Sequence, residues 1–249
     1  MSDKINQISV ASSVKFFKEG LMKRWNLVDY YDKDLPCLFF GLRHNVELIN
    51  EHRGFALVVP GESLCGKLSN KITKHENIVF VDFPSRNTSK KFKHVAKLFE
   101  IKDYSIFKPK PLGNKIYAYF GTGNRTRTFR HDGLQRIQSK INYEIVCAKF
   151  TKILPIEVLK KEYYDNTFLS INLSTTGGLT TVTDLAFMGI KTISNHPIGW
   201  DCFLRYKDES EIIDIINTEA NKIGSVQPAI NVFNANEVWQ NTNYWIEQT

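Results

Sequence analysis

The chain has 249 residues, 42% hydrophobic and 24% charged, an ordinary globular composition with length for one large or two small domains around buried cores. No stretch approaches the roughly 20 uninterrupted apolar residues that span a bilayer, and the start, MSDKINQISVASSVKFF, lacks the basic and apolar regions of a secretory signal, so a cytoplasmic protein with no membrane span is expected. The formal charge of +7, from 33 Lys+Arg against 26 Asp+Glu, favours a polyanionic partner and leaves nucleotide ligands, nucleic acid and anionic membrane surfaces open.

In chain order, short apolar runs alternate with helical stretches, the pattern of βα units around a mostly parallel sheet, so the fold class is α/β. LPCLFFGL reads as a buried strand, HNVELINEH as a helix, and GFALVVPG and NIVFVDF as strands before the basic amphipathic stretch SKKFKHVAKLFE. KDYSIFKPKPLGN, with two prolines and a Gly-Asn pair, reads as a linker between a first domain over residues 1–105 and a second over 106–249. Beyond it, KIYAYFGT is a strand, FRHDGLQRIQSKI a helix, YEIVCAKF a strand, PIEVLKKEYYDN a helix and TFLSINLS a strand. The helix LTTVTDLAFMG, the strand IKTISN and the helix ESEIIDIINTEANKI follow, and a tryptophan-bearing end, about 238–249, is expected to pack back on the first domain. No internal repeat of fixed period is present. Four scattered cysteines, Cys37, Cys65, Cys147 and Cys202, form no CxxC and stand near no paired histidines, so reduced core thiols are expected rather than zinc ligands or disulfides.

The most informative passage runs from Tyr163 to Asn195. A strand enters a loop whose Gly177 and Gly178 permit positive φ and close backbone approach, and a helix starts at Leu179. Free N–H groups and the positive end of the helix dipole make such a start an anion site, to which Thr180 and Thr181 add hydroxyl donors. Asp184, one turn past Thr180, is placed to accept hydrogen bonds from ribose hydroxyls. Ala186 and Gly189 are small enough for close packing on a sheet.

These residues resemble the donor domain of GT-B glycosyltransferases, especially compact ones of large DNA viruses and phages, whose pattern is roughly DGLxNTVxELGxMGxK followed by a strand ending in Asn. The matching stretch is GGLTTVTDLAFMGIKTISN; LPCLFFGL and HRGFALVVPG extend the likeness loosely over most of the chain. Two positions depart from the pattern: Asp184 stands where the family has Glu, and Gly177 where it has Asp. The resemblance implies two Rossmann-like domains with mostly parallel sheets facing across a cleft. It further implies a nucleotide-diphosphate sugar, a UDP-sugar first, as co-substrate, with no tightly bound cofactor and no required metal. It places basic residues after the first strand of the donor domain, where Gly121 opens GTGNRTRTFRHD with Arg125, Arg127 and Arg130. The planar guanidinium binds phosphate oxygens bidentately and keeps its charge.

An inverting transferase needs a base facing the acceptor hydroxyl, and loops after strands carry such groups. His44, Glu62 and Asp82 are the candidates, each with a surface or capping role as the alternative; a retaining mechanism needs no dedicated base. The viral likeness and the basic charge make DNA carrying 5-hydroxymethylcytosine the first acceptor, in a host cytoplasm. Arg86, Lys90, Lys91, Lys93 and Lys97 are candidates to track its phosphates, or form a solvated helix face. Glycan synthesis is the alternative within enzymes, and a non-catalytic nucleic-acid-binding module the alternative outside them. Of the four tryptophans, Trp200 in NHPIGWD alone follows a donor-domain strand. A competing motif, GESLCGKLS, matches a phosphate-binding loop at Gly61, Gly66 and Lys67 and is broken at Leu68.

Overall fold

The fold is described from a computed structural model, which describes residues 5–12, 15, 18–60, 65–73, 76–81, 92–95, 104–122, 131–150, 154–174, 178–196 and 200–232. It is α/β with two five-stranded sheets whose paired strands all run parallel. The chain divides into two compact units between Asp103 and Tyr104, the second ending at Val232. Among the described residues no helix is long and apolar enough to cross a membrane.

The first unit contains β1 (Gln7–Val10), α1 (Lys18–Trp25), β2 (Cys37–Phe40), α2 (Val46–Glu51), β3 (Ala56–Val59), α3 (Cys65–Ser69), β4 (Ile78–Val81) and β5 (Lys93–Val95). Runs such as CLFF, ALVV and IVFV are buried at every position, as strands covered on both faces must be. Alternate residues feed two cores. Leu38, Phe40, Leu57, Val59, Val79 and Val81 pack with Leu21 of α1, whereas Cys37, Phe39, Ala56, Val58, Ile78 and Phe80 pack with Ile49 of α2 and with Ile72.

The strands lie in the order β1-β2-β3-β4-β5, but β1 also has a neighbour on its outer edge. Val28 bridges Gln7 in parallel, donating to the Asn6 carbonyl at 2.8 Å and accepting from the Ile8 N–H at 3.2 Å. After α1 the chain therefore stands on one side of β1, then returns across it to β2 on the other. This direction reversal explains why α1 and α2 cover opposite faces. The stretch 89–100, expected to be one amphipathic run, contains β5 instead: Phe92 is buried and stacks on Phe80 at 4.7 Å, and Lys93 pairs with Val79. Buried apolar anchorage at Phe92 outweighs the lysine content.

The second unit contains β6 (Lys115–Thr122), α4 (His131–Gln138), β7 (Ile145–Phe150), α5 (Ile156–Glu162), a 3-10 turn (Tyr164–Asn166), β8 (Thr167–Ile171), α6 (Leu179–Phe187), β9 (Thr192–Ile193), β10 (Phe203–Leu204) and α7 (Glu209–Ala220). Its order, β10-β9-β8-β6-β7, has the same reversal, with β7 on one side of β6 and β8 on the other. The proline-bearing stretch 104–113, read as a linker, is packed into this unit. Tyr104, Phe107 and Leu112 are buried, Tyr104 stacks on Phe187 at 4.9 Å, and Lys110 pairs with Asp165. Burial raises the Asp165 carboxyl, but hydrogen bonds from Lys110 and Lys160 together hold it below its ordinary value. Cys37, Cys147 and Cys202 are free thiols, and burial pushes Cys37 and Cys202 up to about 12, as inert core groups.

Candidate functional site

In an open parallel sheet, ligands bind at the carboxyl edge where the strand order reverses, because the loops on either side of that point diverge and leave a crevice. The second unit reverses between β6 and β8. In the sequence Arg125, Arg127 and Arg130 follow β6, and Gly177 and Gly178 follow β8. The two segments singled out for a diphosphate thus leave the two strands that flank one switch point. The three arginines and Gly177 lie outside the described residues, so only the strands that launch them are seen. Gly121 sits at a register irregularity between Tyr119 and Thr122, and such bulges re-aim the chain at sheet rims.

Gly178 adopts the left-handed conformation, φ 81° and ψ 7°, as the N-cap of α6, and no side chain caps that helix start among the described residues. A side chain at Gly178 would meet the steric cost that only glycine avoids there. Gly178, Leu179 and Thr180 are half-buried and Thr181 is buried. Thr183 Oγ1 donates back to the Leu179 carbonyl at 2.8 Å.

Asp184 is only 1% exposed. Its carboxylate accepts the Tyr164 hydroxyl at 3.4 Å, and the Thr181 side chain hydrogen-bonds the same phenol. Burial first, then the charge of Asp184 and the neighbouring Tyr117, hold the Tyr164 phenol well above its ordinary value. Tyr117, Ser170 and Thr192 are register partners across β6, β8 and β9, so they share one sheet face, and Tyr117 meets Tyr164 edge-on at 5.3 Å. A polar seam therefore runs beneath α6.

Sequence reasoning missed a second polar group, at the carboxyl edge beside β9. His196 is fully buried, its backbone N–H donates to Ser194 Oγ at 3.1 Å, and Arg205 donates to the carbonyls of Ser194, at 3.2 Å, and of His196. The guanidinium also lies 5.2 Å from the Phe203 ring centre, and Phe203 stacks on the half-buried Trp200. The only signal was the alternation Thr192, Ser194, His196 at the end of a strand. Burial first and then Arg205 lower the His196 pKa below its ordinary value of about 6.5. The unfolded chain takes up that proton first, so His196 contributes stability that is present above about pH 6.5 and lost as pH falls below it. Calorimetric melting points are expected to drop between pH 7 and pH 5, with a shallower slope in His196→Asn; equal slopes refute the assignment.

In the first unit the reversal lies at β1, between Val28 and β2, and the loop leaving β2 carries His44. His44 is exposed and holds φ 68°, a left-handed conformation rare for a residue with a side chain. Asn45 fixes it there: Nδ2 donates to the Gly41 carbonyl at 2.8 Å and the Ser9 carbonyl at 3.2 Å, and Oδ1 accepts from Ser9 Oγ at 2.8 Å. The buried amide thus ties the ends of β1 and β2 together beneath an outward-facing imidazole. Glu62, Asp82, Arg86, Lys90, Lys91 and Lys97 lie outside the described residues, and Lys93 is placed by its backbone in β5. The phosphate-loop motif follows β3, away from the reversal, with Lys67 exposed on α3. Among the described residues no group of three His, Cys, Asp or Glu is placed to hold a metal ion. Comparison with known proteins finds no matching family model and no matching curated sequence.

Proposed function

We propose that the protein is a GT-B type glycosyltransferase that moves a sugar from a nucleoside-diphosphate sugar, UDP-sugar first, to a hydroxyl acceptor. One observation carries the reading: the glycine pair and the three arginines follow, in the sequence, the two strands flanking the switch point of the second unit. In this reading the bond from the anomeric carbon to the diphosphate oxygen breaks, and the departing diphosphate collects negative charge. Guanidinium groups and the first-turn N–H groups of α6 oppose that charge as it develops. The acceptor oxygen bonds to the anomeric carbon, and its proton passes to a base. Of the three candidates, His44 has the best support, because it sits at the switch point of its own unit on a fixed backbone. A hydroxymethylated base in DNA is the acceptor of choice on the charge of +7.

The test is titration calorimetry against UDP, GDP, ADP and TDP at fixed salt, followed by transfer assays with the matching sugar nucleotides on hydroxymethylated DNA and on saccharides. Micromolar binding of one nucleotide is expected, with sugar appearing in the DNA. Transfer to saccharides alone moves the acceptor to glycans. Absence of any nucleotide binding, with salt-sensitive DNA affinity intact, overturns the transferase and leaves a nucleic-acid-binding module.

A further inference from the structure

We propose that Asp184 is a positioning residue, which sets the start of α6 from inside the unit through Tyr164 and does not itself touch the ribose. The inference rests on the donor-site reading and refines it. Asp184 and Thr181 are one turn apart on α6, on one face, and both converge on a single phenol. That phenol belongs to a fully buried residue in the 3-10 turn immediately before β8. β8 runs to the glycine loop and the loop runs into α6, so the contact between Tyr164 and Asp184 closes this segment on itself. With the strand paired on both sides, one further tie fixes the helix along its axis, and with it the Gly178 cap.

The cover over this tie is aromatic: Phe107 lies 6.4 Å from Tyr164, and Tyr104 stacks on Phe187 at the far end of α6. Six consecutive residues of α6, Thr181 to Ala186, are buried, so Asp184 lies on an enclosed stretch of helix. A carboxylate that bound ribose hydroxyls directly would need an opening to the nucleotide, and at 1% exposure it has none here.

The test compares wild type, Asp184→Ala and the near-isosteric Tyr164→Phe for binding of UDP and of 2′,3′-dideoxy-UDP, which lacks the hydroxyls in question. A positioning role weakens both nucleotides by the same factor, about tenfold or more, in both variants, and the double variant loses no more than the worse single one. If Asp184→Ala weakens UDP but leaves dideoxy-UDP unchanged while Tyr164→Phe binds like wild type, the ribose contact is direct and the inference is overturned. If the variants melt earlier but bind both nucleotides with wild-type affinity, the tie is merely structural, which overturns it equally. A wild type that binds neither nucleotide overturns the donor reading and takes this refinement with it. Where the wild type binds both nucleotides, unequal losses of the two in the variants overturn the refinement alone.

Discussion

Gly113→Ala is expected to lower the melting midpoint of the second unit by on the order of 10 °C. Gly113 lies just before β6 and packs its Cα against the backbone of Asn166, its N–H reaching the Thr167 carbonyl at 3.3 Å. A Cβ built there falls well inside van der Waals contact with the Asn166 carbonyl group and Cα. No rotamer relieves the clash, because the obstacle is main chain on both sides. The cost therefore reaches the upper end of overpacking, about 3 kcal/mol, a large share of the 5–15 kcal/mol that a domain of this kind has in total. Gly224→Ala supplies the contrast. It holds φ 81° with nothing within 4 Å of the added atom, so it carries only the left-handed backbone cost of about 1 kcal/mol. Equal shifts in the two variants, measured by calorimetry, would show that close approach at Gly113 is not the constraint. The position also bears on the site: Asn166 ends the turn that carries Tyr164, so a displaced turn moves the anchor of α6.

The elements with strong local pattern were legible, and the long-range pairings were not. CLFF, ALVV, IVFV and TFLSI are apolar runs bounded by turns, and the helices of the second unit show a 3.6-residue period, so these strands and helices match their readings closely. Val28 is a single exposed residue on the edge of β1, and nothing local marks it as a sheet neighbour. Without that bridge the first unit reads as a simple succession of strands; with it, both units repeat one strand order although the sequence carries no repeat.

β5 was hidden by Lys93 and by the lysines around it in the sequence, and β10 is two residues long. The candidate site followed the same division. The strands that precede its glycines and arginines, β6 and β8, match their readings, whereas the enclosure of Asp184 involves Tyr164 and, behind it, Phe107, which come from stretches distant in sequence. Pro109 and Pro111 made the second of these look like a linker, and the spacing of its aromatic residues tells the other story.

The largest functional effect is expected from removing the charge of the loop after β6. A variant carrying Arg125→Ala, Arg127→Ala and Arg130→Ala together should bind UDP about a hundredfold more weakly than wild type. Hydrogen bonds between charged partners contribute about 1.5–3 kcal/mol each, so a single lost guanidinium contact to the diphosphate gives tenfold or more and two give the full effect. The ligand supplies its own control. Uridine has the base and ribose but no phosphate, so its weaker affinity should be the same in both proteins. Salt supplies a second control, since the wild-type affinity for UDP should fall as salt rises and the variant's should stay flat. Single substitutions then identify which guanidinium meets the phosphates. If the triple variant binds UDP as tightly as wild type but loses affinity for DNA, the arginines serve a nucleic-acid backbone. The diphosphate would then be held by groups other than these arginines, and by more than the helix start at Gly178, because the 0.3–1 kcal/mol ordinarily available from a helix dipole does not suffice for micromolar binding.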